Sequence, residues 1–312
     1  MIDSIELNSL YPAFSNLSPR TISLSQKIIK SQSKLKSSSS DVIISSLVFN
    51  DKGIPLLLKT NDEIITSIQD KFDLDCDFII FWDKDIVLGE RLEKSGYKIF
   101  NSIESIKNCD DKVLTCLKLK EHNLPIPETI IAPFTFENIP YNRFEFIDKV
   151  IDKLGLPLII KENKGSFGAQ VYLANTKDEV FNIIDKTKTK PIHFQKFISS
   201  SKSRDVRVEV VGGKALGAVM RCNPNDFRSN VLSGGSMIKF EAPSEFIDIA
   251  EKASIALGLD FGGIDIMFGP NGEPIICEVN SNCHFNTFYK TTGINLAEEI
   301  CKYIIKELND LH

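Results

Sequence analysis

The chain has a single tryptophan, four histidines and seven cysteines with no Cys-x-x-Cys pair among them. A zinc knuckle needs clustered thiolates or imidazoles, and a disulfide framework needs an even, patterned cysteine set, so neither is expected. Unpaired thiols point to a reducing, cytoplasmic home. Long apolar runs are also missing: the densest patch, Phe78 to Trp82, is strand-sized, far below the about 18 residues of a membrane span. Met1 to Glu6 carry neither the basic start nor the apolar core of a secretory leader. There is no basic excess, since 37 Lys and Arg face 42 Asp and Glu for a net charge of −5, so no nucleic-acid partner is expected, and no membrane either. Neither a Walker A lysine loop nor a GxGxxG fingerprint occurs.

What is present is ordinary globular material, 312 residues with 42% hydrophobic and 25% charged side chains. That length suggests about two domains. Short apolar runs alternate with amphipathic stretches up to about Phe100: a strand at Val42 to Val48, a capping box at Thr60 to Glu63 opening a helix, a strand at Phe78 to Trp82, then a helix to Ser95. This βαβ rhythm predicts an α/β domain over residues 1–108. The serine- and lysine-rich stretch Ser31 to Ser40 reads as a helix end running into a loop. Residues 109–312 read as α+β, with a first part over 109–191 and a second, strand-rich part over 192–312. Helices are expected over Asp110 to Glu121 and Arg143 to Leu154, and two more around Phe246 to Leu257 and Leu296 to Leu308, where apolar residues recur at helical spacing.

Three segments carry chemistry. Lys161 ends an apolar strand and leads into Lys164-Gly165-Ser166-Phe167-Gly168-Ala169, where small residues let backbone N–H groups approach an anion. Alone, this is equally a flexible turn. The second segment is a hairpin around Asn271-Gly272, the dipeptide of a two-residue type I′ turn. Opposed residues then sum to 543, which sets Asp265 against Glu278 and Gly263 against Asn280. Asp265, Glu278 and Asn280 share one face, while Ile264, Ile266, Cys277 and Val279 take the other. Two carboxylates about 5 Å apart repel by roughly 3 kcal/mol at an effective dielectric near 20. A hard divalent cation with oxygen ligands relieves that, and Mg²⁺ shared with phosphates suits the set; solvated acids on an exposed face are the plain alternative. Third, Arg204 to Val211 alternates polar and apolar residues. Its polar face, Asp205, Arg207 and Glu209, reads most simply as a solvated charge ladder. Arg221 and the loop Asp226-Phe227-Arg228-Ser229-Asn230 with Gly234-Gly235 suit a phosphate or carboxylate, because guanidinium matches those anions.

Together these residues resemble the ATP-grasp enzymes, and within them the RimK-type alpha-L-glutamate ligases, from about Gly96 to the C-terminus and in the family's order. The resemblance implies a two-part grasp domain clamping ATP. It assigns Lys112 and Lys161 to the ATP phosphates, and Lys164, Gly165, Ser166 and Gly168 to the loop over them. Gln195, Lys196, Phe197 and Ile198 match the hinge that reads adenine, and Asp205 the ribose side. Arg228, Ser229 and Asn230 match the strip at the transferred phosphoryl group, and Asp265, Glu278 and Asn280 the magnesium ligands. Departures are Lys196, where the family usually has glutamate, and Ser281-Asn282-Cys283-His284-Phe285 after the metal asparagine, which is closer to related amino-acid ligases.

The implied reaction is ATP- and Mg²⁺-dependent amide formation through an acyl phosphate, with Mn²⁺ as a substitute metal. Glutamate or another amino acid is added to a protein, peptide or small acidic acceptor, and a homo-oligomer is compatible with the family. Arg228, with Arg207 and Arg221, is expected to hold the carboxylate or acyl phosphate. A non-catalytic nucleotide-binding protein and a phosphotransferase on the same fold are the alternatives. His284 is expected to line the acceptor pocket, and Cys283 to be no nucleophile.

Overall fold

The computed structural model describes residues 44–49, 57–60, 64, 66–74, 76, 78–166, 168–229, 234–282 and 286–309. Ser31 to Ser40, Asn61 to Glu63, Asn230 and Cys283 to Phe285 lie outside them. The fold is of the mixed α/β type, in two compact units. The first gathers residues 1–107, 258–261 and 281–312; the second gathers 108–257 and 262–280. The C-terminal segment, read from sequence as part of the second domain, thus groups with the first unit.

The first unit holds a four-stranded sheet of order β2-β1-β3-β4, from β1 (Ile44–Phe49), β2 (Leu57–Thr60), β3 (Phe78–Phe81) and β4 (Lys98–Phe100). β3 and β4 are parallel, joined by α1 (Ile86–Lys94), the expected βαβ step. Thr60 is the last residue of β2, and the helix expected to open there falls on Asn61 to Glu63, outside the described residues, with Ile64 beyond them in a 3-10 turn. The strand before it is set by antiparallel pairing of Leu57 to Thr60 with β1. Next comes α2 (Ile103–Asp110), whose Ile103 and Ile106 join Ile79, Phe81, Leu92 and Ile99 in the core. The C-terminal helices are α7 (Asn286–Thr292) and α8 (Leu296–Asn309). Buried Asn101 ties the returning chain into this unit. Its Nδ2 donates to the carbonyls of Phe261 at 2.9 Å and Ser281 at 3.1 Å, and its Oδ1 accepts from the N–H groups of Asp260 and Phe261.

The second unit contains two antiparallel-rich sheets. One has the order β5-β8-β6-β7, from β5 (Thr129–Ile131), β6 (Leu158–Glu162), β7 (Val171–Ala174) and β8 (Ile192–Lys196). Its apolar side is covered by α4 (Glu145–Leu154) and α5 (Lys177–Thr187), whose Ile147, Val150, Val180 and Ile184 pack on Leu158, Ile160 and Phe194. The other sheet has the order β11-β10-β9-β12-β13, from β9 (Arg204–Val211), β10 (Lys214–Cys222), β11 (Ser236–Phe240), β12 (Phe261–Phe268) and β13 (Pro274–Asn280). Helix α6 (Ser244–Ala256) belongs to this unit, and so does α3 (Lys112–Glu121), whose N-terminus is capped by the Asp111 carboxylate accepting from the N–H groups of Val113 and Leu114.

The β12–β13 hairpin keeps the expected pairs, Asp265 with Glu278 and Gly263 with Asn280, by a different route. The turn is one residue longer than a two-residue I′ turn: Gly269 N–H donates to the Glu273 carbonyl, and Gly272 stands at φ +86°. That shape is a type I turn closed by a left-handed glycine. Outer pairs such as Phe268 with Pro274 therefore sum to 542, and a bulge between Asp265 and Ile266 restores 543 at the acids. The bulge also corrects the facing of Cys277. Ile276 and Val279, three residues apart, are both buried in the core, so Cys277 and Glu278 between them both turn to the site.

Candidate functional site

The site is assembled from the ends of these elements within the second unit. Capping by Asp111 starts α3 so that Lys112 is its first residue, and the Lys112 N–H donates to the Asn163 carbonyl beyond β6. Lys112 Nζ donates to the Gly165 carbonyl at 2.8 Å and lies 3.5 Å from Glu278 Oε1. Lys161, on the buried strand β6, places Nζ 4.0 Å from Cys277 Sγ. Lys112, Lys161, Glu278, Gln195, His193, Cys116 and Cys277 line one cavity, closed by the apolar walls Leu119, Ile126 and Ile276. The two lysines assigned to phosphates therefore meet one of the two carboxylates assigned to metal.

The glycine loop is held from both ends. Gly165 is at φ +143°, and a Cβ there would sit 2.4 Å from Gln170 Oε1, so only glycine fits. Lys112 takes the Gly165 carbonyl, and Arg228 donates to the Gly168 carbonyl. Arg228 is itself gripped by Asp226, whose carboxylate accepts from its Nε at 3.0 Å and its Nη2 at 2.7 Å. That hydrogen-bonded pairing raises the pKa of Arg228 and lowers that of Asp226. Lys164 is exposed beside Asp110, 3.5 Å away. Ser166 and Ser229 lie on the same two loops.

The polar face of β9 is no solvated ladder. Asp205 and Glu209 are buried, and Arg207 is half-buried. An alternating chain of charges runs across the sheet. Arg207 grips Asp265 bidentately, Nε to Oδ1 at 2.7 Å and Nη2 to Oδ2 at 2.8 Å, and Arg221 grips Asp205 in the same way while reaching Asp265 Oδ2 at 3.0 Å. Burial alone pushes the Asp265 carboxyl up, but Arg207 and Arg221 outweigh it and hold the group below its usual range. Asp205 spends its carboxylate on Arg221. The like-charge repulsion expected between Asp265 and Glu278 is thus answered by arginines on one side and Lys112 on the other.

Among the described residues no three His, Cys, Asp or Glu side chains gather as a metal cage. The trio instead has an amide as its third member: Asn280 turns Nδ2 to Asp265 Oδ2 at 3.3 Å, which leaves its carbonyl oxygen for another partner. All donors of the trio are oxygen. The neighbouring Cys277 thiol stays protonated, burial pushing its pKa up to about 11, so the set fits a hard cation and not a thiophilic one.

At the expected hinge, Gln195 is buried and donates to Thr129 Oγ1 at 3.1 Å, and the Lys196 N–H donates to the Glu128 carbonyl. The Lys196 side chain is exposed, and Phe197 and Ile198 are half-buried. Residues that sequence reasoning passed over are His193, Cys116 and Cys277. His193 reaches the cavity through strand register, Cys277 through a bulge and Cys116 from the second turn of α3, and no local motif announces any of these.

The profile of the RimK-like ATP-grasp domain matches residues 109–304. N-acetylaspartylglutamate synthase A of Homo sapiens is 32% identical over 231 residues, which cover 72% of this chain and 57% of that protein. Glutamate–LysW ligase ArgX of Sulfolobus acidocaldarius is 32% identical over 219 residues, covering 68% of this chain and 74% of that one. A crystal structure of D-alanine–D-alanine ligase from Bacillus anthracis shares the fold at a TM-score of 0.58 and 20% identity, over 74% of this chain and 80% of that one. The chain spans little more than half the length of the human relative. With a domain profile running through the lysine pair, the glycine loop and the acid–amide trio, the chain belongs to the RimK-like ATP-grasp family.

Proposed function

We propose that this protein is an ATP- and Mg²⁺-dependent carboxylate–amine ligase that works through an acyl phosphate. The observation that carries the reading is the convergence of Lys112, Lys161 and the glycine loop with Glu278, whose opposed partner on the hairpin is Asp265. Cations that neutralise phosphate oxygens beside acids that hold a hard metal make a phosphoryl-transfer site, where catalysis is positioning and electrostatics.

In this reading Asp265, Glu278 and the Asn280 carbonyl hold Mg²⁺, which when bound neutralises charge on the transferred phosphoryl group. Lys112 and Lys161 bind the phosphates, and the loop from Lys164 to Ala169 excludes water over them. The hinge Gln195 to Ile198 takes the base. Arg228, already fixed by Asp226, is aimed at the acceptor carboxylate, while Arg207 and Arg221 keep Asp265 in place. The carboxylate oxygen attacks the γ-phosphorus, ADP leaves, and an amine then displaces phosphate to form the amide. The names of the relatives, a synthase of N-acetylaspartylglutamate and a glutamate–LysW ligase, support glutamate as the amine and an acidic small molecule or protein as acceptor. No helix of the described residues is long and apolar enough to cross a membrane, and Cys116, Cys222, Cys277 and Cys301 are free thiols, which supports a reducing compartment.

The test is a hydroxylamine trap with ATP, Mg²⁺ and a panel of acidic carboxylates and acidic peptides. An acyl phosphate yields a hydroxamate with at least one acceptor, and Lys161→Met abolishes it. A phosphorylated alcohol, or ATP bound without turnover, would reject the ligase reading.

A further inference from the structure

His193 lies on β8 directly across from Lys161 of β6, its side chain fully buried and lining the same cavity. Its Nδ1 is 3.0 Å from the Asn163 side-chain oxygen. An amide oxygen only accepts, so Nδ1 carries the proton and Nε2 presents a bare lone pair. Among the described residues Nε2 has no hydrogen-bond partner. A buried acceptor without a partner is uncommon in folded proteins and calls for a donor beyond the described residues, for which a bound molecule is a candidate.

The acceptor cannot become a donor at working pH. Burial, reinforced by the positive charges of Lys161 and Lys112, drives the pKa of His193 down to about 3. The ring therefore stays neutral, its tautomer locked by Asn163. Gln195, two residues on, is on the same face of β8, and Leu119, Ile126 and Ile276 supply apolar walls. The cavity as it stands has room for about one water, about 10 Å³, so a flat heteroaromatic ring that brings its amine to Nε2 must part these walls.

We infer that His193 is a base-selecting residue, whose Nε2 accepts a hydrogen bond from the exocyclic amine of the nucleotide base and so favours a 6-aminopurine over a 6-oxopurine. This rests on the nucleotide reading above and adds to it a residue and a preference. An oxo group would place an acceptor against an acceptor and leave Nε2 unpaired. Sites built to pair a donor reject analogues that lack it.

The experiment is calorimetric binding of three nucleotides to the full chain: ATP, purine riboside triphosphate with hydrogen at C6, and inosine triphosphate. The wild type is expected to bind ATP at least tenfold more tightly than either analogue. His193→Leu should shrink that ratio about fivefold or more, mainly by weakening ATP, and His193→Gln, with an amide oxygen able to accept, should keep part of it. A ratio unmoved in His193→Leu while ATP still binds overturns the inference alone and leaves Nε2 to a water. Failure of the wild type to bind ATP overturns the nucleotide reading as well. Should His193→Leu not fold, the wild type still decides: equal affinity for all three nucleotides, or a histidine Nε2 nitrogen-15 resonance unmoved by ATP, contradicts the assignment.

Discussion

Asp265 has two duties that pull in opposite directions. As a proposed metal ligand it should be replaceable by asparagine with a loss of activity alone, and opposition to Glu278 would even predict relief of repulsion. Its surroundings reverse that expectation. Arg207 and Arg221 are buried or nearly so, and Asp265 is the countercharge of both. Removing one partner of a buried ion pair costs about 3–5 kcal/mol because the remaining charge is stranded. Asp265→Asn is expected near 3 kcal/mol in urea unfolding, since Arg221 keeps Asp205, whereas Glu278→Gln, half-buried beside Lys112, should cost under about 1 kcal/mol. Equal stability of the two variants would contradict the charge chain. His193 supplies a second residue-scale prediction. Its folded pKa of about 3 lies below the model-peptide value of 6.5, so as pH falls between these values the unfolded chain gains a proton that the folded chain refuses. Stability is complete above about pH 6.5 and is lost on acidification, at up to about 1.4 kcal/mol per pH unit. His193→Leu should flatten that part of the stability curve, and an identical slope in variant and wild type would argue against a buried neutral imidazole.

At the scale of elements, the metal hairpin shows what periodicity can and cannot convey. Alternation and an Asn-Gly turn located Asp265 opposite Glu278, yet the turn is longer and the bulge at Cys277 compensates for it. The count came out right because two one-residue offsets cancel. Cys277 was misfaced for the same reason: a bulge breaks the two-residue period, and nothing in Ile275-Ile276-Cys277-Glu278 announces it. Core helices α6 and α8, with apolar residues at regular helical spacing, were legible throughout. The buried polar face of β9 was not, because which sheet face is covered depends on elements far away in the chain. The glycine loop yields the prediction at this scale. Gly165→Ala forces a left-handed residue and a 2.4 Å contact with Gln170, so the loop must shift while the core beneath it stays. The expected result is a loss of at least tenfold in hydroxamate formation with a stability cost of only about 1–2 kcal/mol; wild-type activity would show that the loop does not cover the reacting phosphates.

At the scale of the whole molecule, the second unit brings lysines, glycine loop, acids and arginines together from widely separated stretches of sequence, and order along the chain is what made the family visible before any geometry. The central claim is transfer of the γ-phosphoryl group to a carboxylate. The most direct measurement labels the carboxylate that the trap identifies with oxygen-18 and follows the label during amide formation with glutamate. Attack by the carboxylate followed by displacement by the amine must carry one labelled oxygen into inorganic phosphate for each amide formed. Phosphate released without label, alongside amide, would contradict the acyl-phosphate account.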